Sequence, residues 1–266
     1  MSQPHKHGER GVVPISRLLL AFFRIYARWY VARHFTAMRV AHAERCRPVP
    51  DTESALPSPL IVCVNHASWW DPLIGLLVSE FLFPGAELYV PMDAAALAHY
   101  GLFKRLGAFP VEMGTLRGAS QFLRSSREVL KREHAVLWIT PQGAFTDVRT
   151  RPMTLQPGLA ALAKRTPGAT IIPMAFEYTF WNERLPEILI NIGEPLVVSE
   201  HGEAPDLQVA MTHALEELAI LGIARDPAAF HTLLSGRSGV GGVYGWWQRL
   251  RDSLRARTVR RESVRR

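Results

Sequence analysis

Cysteine is scarce: the 266 residues contain two, Cys46 and Cys63. Two thiols cannot build a disulfide framework, and their spacing matches no zinc site. Cys63 lies inside an apolar run and reads as a small buried hydrophobe. The scarcity favours a reducing, cytoplasmic setting. Nowhere is there a run of about 18 uncharged apolar residues, so no segment reads as a conventional transmembrane span. A secretory leader is not expected either, because the stretch Leu18–Phe23 is short and stops at Arg24 with no small-residue cleavage site. Also missing are a glycine-rich phosphate loop, a Gly-x-Ser-x-Gly elbow and clustered metal ligands. These absences argue against a nucleotide-binding enzyme, a serine hydrolase and a metalloenzyme in turn. No metal and no cofactor is expected.

Acidic residues are unevenly missing. The net charge is +7, and from Arg249 onward eight arginines face only Asp252 and Glu262. Between Ile15 and Val40 stand Arg17, Arg24, Arg28, Arg33 and Arg39 with no acid at all. The body between these ends is mildly acidic, unlike a nucleic-acid enzyme, which carries positive charge over its fold. An anionic membrane surface is the expected partner, and nucleic acid is not. As a helix, Ile15–Val40 would gather Leu18, Phe22, Ile25, Trp29 and Phe35 on a broad face, with Arg17, Arg24, Arg28 and Arg39 largely opposite. Such a helix suits the interface of an anionic bilayer; packing on the domain's own core is the alternative. The expected organisation is a basic, amphipathic, membrane-associating segment over 1–46, a catalytic domain over 47–235 and a flexible basic tail over 236–266. The tail carries Trp246 and Trp247 before its arginines and reads either as a second surface-binding helix or as plain disorder. The expected location is the cytoplasmic face of a membrane, peripheral or interfacial.

The body is rich enough in apolar residues to fill a core, with 48% of the chain hydrophobic and 21% charged. Leu60–Val64 and Ala135–Ile139 are short runs that read as buried strands. Further strands are expected at Leu88–Val90, Gly107–Val111, Thr170–Tyr178 and, as the last, Glu187–Ile192. Helices are expected over Pro72–Leu82, Ala94–Leu106, Leu116–Glu133, Pro157–Lys164 and Asp206–Leu221. Strands alternating with helices predict an α/β fold, a mixed β-sheet flanked by helices.

One segment has the makings of a reactive site. Asn65, His66, Ala67, Ser68, Trp69, Trp70 and Asp71 follow a buried strand and open a helix. A histidine at a strand's end sits in a cleft, where its imidazole can take a proton from an attacking alcohol. It needs a partner for its other ring nitrogen, and a carboxylate is the usual one. His66 and Asp71 are five apart, so only a tight loop lets them meet. Asp71-Pro72 is also the ordinary start of a helix, and Asp71 as a cap is the competing account. One carboxylate oxygen could cap while the other orients the ring.

Asn-His-x-Ser-x-x-Asp after a buried strand resembles the first motif of the PlsC-type glycerolipid acyltransferases, the lysophosphatidic acid and glycerol-3-phosphate acyltransferase superfamily. Gly107–Met113 resembles the second motif, Thr140–Gly143 the third and Ile171–Met174 the fourth, in the family's order. The resemblance spans Pro59 to Ile220 and implies a glycerol-3-phosphate-acyltransferase-like fold. It implies His66 as the base that deprotonates an acceptor hydroxyl and Asp71 as the group that orients it. It also implies a thioester donor, acyl-CoA or acyl carrier protein, and a lysophospholipid or glycerol-phosphate-like acceptor. Asn65, Ser68, Gln142 and Gly143 are the expected substrate-binding residues.

The departures are specific. The family's phosphate-binding arginine in the second motif is replaced by Met113, and Pro-Glu-Gly-Thr-Arg of the third motif by Pro141, Gln142, Gly143, Ala144 and Phe145. Arg117, Arg149 or Arg151 could supply the missing guanidinium, or each is a solvated surface arginine. Alternatives are an acyltransferase for a non-phosphate lipid such as a carotenoid glycoside or an aminolipid, a hydrolase using the same pair, or a membrane-surface lipid-binding protein that has lost its chemistry.

Overall fold

A computed structural model describes residues 12–46 and 57–237. The expected basic tail lies outside the described residues from 238 onward. In chain order the elements are α1 (Arg17–His34), β1 (Ala37–Ala41), β2 (Leu60–Val64), α2 (Asp71–Leu82), β3 (Glu87–Asp93), α3 (Ala94–His99), β4 (Ala108–Val111) and α4 (Leu116–Leu130). Then follow β5 (Ala135–Ile139), α5 (Pro157–Ala163), β6 (Thr170–Thr179), β7 (Glu187–Ile192), β8 (Leu196–Val197), α6 (Leu207–Ala224) and β9 (His231–Ser235). The strands form one mixed sheet in the order β4-β3-β5-β2-β6-β7-β1-β9, with β8 on β6. From β4 to β6 every neighbouring pair is parallel, and β7 then runs antiparallel to β6.

The sheet is covered on both faces, which is why β2 and β5 are buried at every position. Alternation splits β2 between two cores. Leu60, Val62 and Val64 pack with Ala27 and Val31 of α1 and Leu73, Ile74 and Leu77 of α2. Ile61 and Cys63 pack on the other face with Val129, Leu162, Met211 and Leu218 from α4, α5 and α6. Cys46 and Cys63 therefore lie in different cores, and both are free thiols. Glycine at 75 sets the depth of α2: a Cβ there would stand 3.2 Å from the Trp138 ring on β5.

Two expectations change at the sheet's far edge. The helix expected over Ile15–Val40 stops at His34, so Phe35 is a buried core residue and Arg39 lies on a strand. Residues 37–41 pair in parallel with β7 and antiparallel with β9, far along the chain. Arg39 donates to Glu187 at 3.0 Å and to Thr232 at 2.9 Å. Strand propensity depends on such distant neighbours, and the local aromatic spacing carries no trace of them. Nor is β7 the last strand, since β8 and β9 follow it. Helix α1 has two sides: Ala27 and Val31 pack on the domain's core, while Leu18, Phe22, Ile25 and Trp29 stand exposed. By length and composition α6 could cross a membrane; it packs on β6 and β7, with Met211, Leu215 and Leu218 in the core.

Candidate active site

The loops after β2 and β5 leave the sheet side by side. Cys63 is paired with Ile139, so His66 and Gln142 each stand three residues beyond a matched pair. The Gln142 side-chain oxygen accepts the His66 backbone N–H at 2.7 Å, and the Thr146 N–H donates to the His66 carbonyl at 2.8 Å. His66 is thereby gripped on both sides of its backbone by the third segment. Gly143 makes the turn with φ 72°, a conformation that favours glycine, and packs against Met113 and Gln156. The Phe145 ring lies 4.2 Å from the imidazole, centroid to centroid.

His66 and Asp71 do meet. The bond from His66 Nδ1 to Asp71 Oδ2 is 2.8 Å, and the same oxygen accepts the Ser68 N–H at 3.0 Å. The other carboxylate oxygen accepts the Tyr178 hydroxyl at 2.7 Å. A carboxylate only accepts, so Nδ1 carries the hydrogen and Nε2 keeps its lone pair. The loop is closed by the Asp71 N–H on the Ser68 carbonyl, and Ser68 Oγ accepts the Trp70 N–H at 3.3 Å. Helix α2 begins at Asp71 itself, with Trp70 in the capping position and no side-chain cap. Asp71 thus orients the ring and does not cap the helix.

Strand lengths place the third partner. Val64 ends β2 opposite Met174, but β6 runs on to Thr179, so Phe176 and Tyr178 overhang the His66 loop. Asn65 uses that overhang like a further strand residue: its side-chain amide donates to the Phe176 carbonyl at 2.9 Å, and its oxygen accepts the Phe176 N–H at 2.7 Å. Burial and then the Asp71 carboxylate push the Tyr178 phenol well above the ordinary tyrosine range, keeping it a donor. Asn65, expected among the substrate-binding residues, is 1% exposed, and both its polar atoms are engaged by Phe176, which ties the His66 loop to β6.

The expected arginines do not converge on His66 as free cations. Arg149 bonds Asp147 at 2.6 Å with its side chain 85% exposed, and Arg117 stands 3.7 Å from Glu112. Arg151 bonds the carbonyls of Val148 and Thr150. Local carboxylates and carbonyls satisfied these side chains where water is plentiful. The exposed side chain beside the imidazole is apolar, Phe145, and the exposed Met113 lies against the Gly143 turn.

A sequence model of the Acyltransferase family matches residues 45–177, half of the chain. The chain belongs to that family. The matched stretch contains His66, Asp71 and the Gln142 turn of the acyltransferase. Among solved structures, the 1-acyl-sn-glycerophosphate acyltransferase PlsC from Thermotoga maritima superposes with a TM-score of 0.50 at 13% identity, covering 78% of this chain and 80% of that one. That likeness is one of fold, a mixed sheet flanked by helices. The pilus retraction motor PilT with bound ADP aligns over 64% of this chain and 55% of its own at 11% identity, and its TM-score of 0.27 carries no weight. No curated protein sequence matches the acyltransferase.

Sequence reasoning missed Tyr178, Phe145 and Thr146. Alternation along β6 does put Tyr178 on the same face as Phe176, towards α2, and that was the available signal. Its pairing with Asp71, 107 residues earlier, had none.

Proposed function

We propose that this acyltransferase moves an acyl group from a thioester, acyl-CoA or acyl carrier protein, to a hydroxyl of a lysophospholipid or glycerol-phosphate-like acceptor at a membrane surface. The reading is carried by the 2.8 Å bond between His66 Nδ1 and Asp71 Oδ2, which leaves Nε2 as a base. His66 Nε2 takes the hydroxyl proton as the acceptor oxygen attacks the thioester carbonyl. The tetrahedral adduct collapses, the C–S bond breaks, and the imidazolium returns the proton to the departing thiolate. One ester and one thiol result, with no oxidant, reductant or cofactor. Base assistance of this kind is worth about 10²–10⁴ in rate, and Asp71 stabilises the imidazolium that forms.

The exposed Leu18, Phe22, Ile25 and Trp29 stripe on α1 supports work at a bilayer, on its cytoplasmic face. Met113 and Phe145, where the resemblance leads one to expect cations, favour acceptors without a phosphomonoester, such as neutral or zwitterionic lyso-lipids. The test uses purified protein and its His66→Ala variant with acyl-CoA and a total lipid extract, and new esters are identified by mass spectrometry. The expected result is product from the wild type alone; equal product from both would end the proposal. Far faster acylation of lysophosphatidic acid than of neutral lyso-lipids would overturn the acceptor preference.

A further inference from the structure

A groove of about 540 Å³ runs along α4 and the end of α5, away from the His66 loop. Its lining includes Arg124, Arg127, Lys131 and Arg165. The one acid in the lining, Glu128, is bonded to Arg132 at 2.9 Å. Among the described residues Arg124, Arg127 and Lys131 have no acidic partner, and Arg165 bonds only the Ala161 carbonyl. Ser120, Arg124, Arg127 and Lys131 recur at helical spacing, so the cations form a row along one face of α4. Three cations in a row, with Arg165 lining the same groove, are unfavourable by themselves and attract an acidic surface.

Three observations select the occupant. The groove belongs to the layer of α4 and α5, whereas the exposed aromatic stripe lies on α1 across the sheet. A bilayer that takes the α1 stripe is therefore turned away from the groove, which faces water. The lining has no aromatic side chain on which a nucleotide base could stack. A linear row about 10 Å long, at 1.5 Å per residue, matches one face of an acidic helix. The helix that carries the row starts near the site: Thr115 caps α4, and Met113, two residues earlier, packs on the Gly143 turn.

We infer that the α4–α5 groove docks an acidic protein that carries the acyl group as a thioester, delivering it from the aqueous side. The inference rests on the acyltransferase reading of His66. Its first test is therefore independent of turnover: binding of a holo acyl carrier protein to the full chain, measured by calorimetry at low and high salt. The triple variant Arg124→Glu, Arg127→Glu, Lys131→Glu should weaken binding at least tenfold, and salt should weaken the wild type as screening shortens from about 30 Å at 0.01 M to about 8 Å at 0.15 M. The milder Arg124→Gln, Arg127→Gln pair should give a smaller loss in the same direction, and circular dichroism should report the same fold for both. In turnover, KM for acyl carrier protein should rise at least tenfold more than KM for acyl-CoA of the same chain length. No binding by the wild type, or undiminished binding by the triple variant, would overturn the inference. An equal rise in both KM values would overturn it too and assign the groove to the phosphates of CoA. Carrier binding without any turnover would instead remove the reading of His66 and leave the docking surface standing.

Discussion

His66 and Arg149 are near neighbours, since Arg149 follows by three residues the Thr146 N–H that bonds the His66 carbonyl, yet they are held in opposite ways. The His66 backbone and Nδ1 are engaged: its N–H by Gln142, its carbonyl by Thr146, and Nδ1 by an Asp71 that is itself buried and bonded by Ser68 and Tyr178. Arg149 bonds Asp147, two residues back, on an open surface. Those hydrogen bonds hold the Asp147 carboxyl well below the usual carboxylate range, but water competes for both groups. Unmaking a buried bond strands its partner at about 1–3 kcal/mol, whereas a surface pair exchanges with solvent at little cost. The setting of the His66 ring is thus rigidly specified, and that of Arg149 is not built to the same standard.

The largest effect that could break this contrast is at Asp71. Asp71→Asn should lower kcat/KM by about 10²–10⁴ in a steady-state assay with acyl-CoA and a lyso-lipid, because the imidazole loses its orienting acceptor. A near-wild-type rate would mean that the pair is structural. Next is Asn65→Ala, which leaves the N–H and carbonyl of Phe176 without their partners. Urea denaturation should show a loss of about 2–6 kcal/mol, one such penalty for each stranded group. Unchanged stability would remove the strand-extending role assigned to Asn65.

Tyr178→Phe should come third, at about 1.5 kcal/mol for one hydrogen bond to a charged acceptor, with a smaller drop in rate than Asp71→Asn. Because the phenol is shifted upward, it stays protonated through the ordinary tyrosine range. The wild-type rate profile should therefore show no tyrosine ionisation below about pH 10, and a descending limb there that vanishes in Tyr178→Phe would contradict this. Arg149→Gln should leave the melting temperature unmoved and change rates with neutral acceptors by less than about threefold. A general collapse of activity in that variant would reverse the comparison. The smallest effect concerns the thiols. Burial, then Glu44, pushes the Cys46 thiol up to about 12, and burial raises Cys63 further. Thiolate is the reactive form, so at pH 8 a thiol reagent should label neither in the native protein and both after unfolding.

Much of this site was legible in the order of residues. The apolar runs Leu60–Val64 and Ala135–Ile139 announced buried strands, and the segment after each holds half of the His66 grip. Spacing could not decide between a capping and an orienting Asp71, because both accounts use the same five residues. The decision came from where α2 starts and from Tyr178 above it. The arginines were legible as charge but not as pairs: Arg149 has its acid two residues away, which a search for a phosphate ligand passes over. Strand β1 was hidden inside the helix expected over Ile15–Val40, whereas α1 ends three residues before it.

By itself the amino-acid order determined what short-range forces control. It specified the buried strands, the Asp71-Pro72 helix start, the Gly143 turn and the separation of apolar from basic positions along α1. These follow from side-chain shape, φ preference and periodicity within a few residues. Tertiary structure alone decided that β1 lies between β7 and β9, that β6 overhangs β2 by five residues, and that Tyr178 and Asn65 fasten the loop carrying His66. Those outcomes depend on register between strands more than 100 residues apart, where one step of slippage would turn every one of these side chains to the other face.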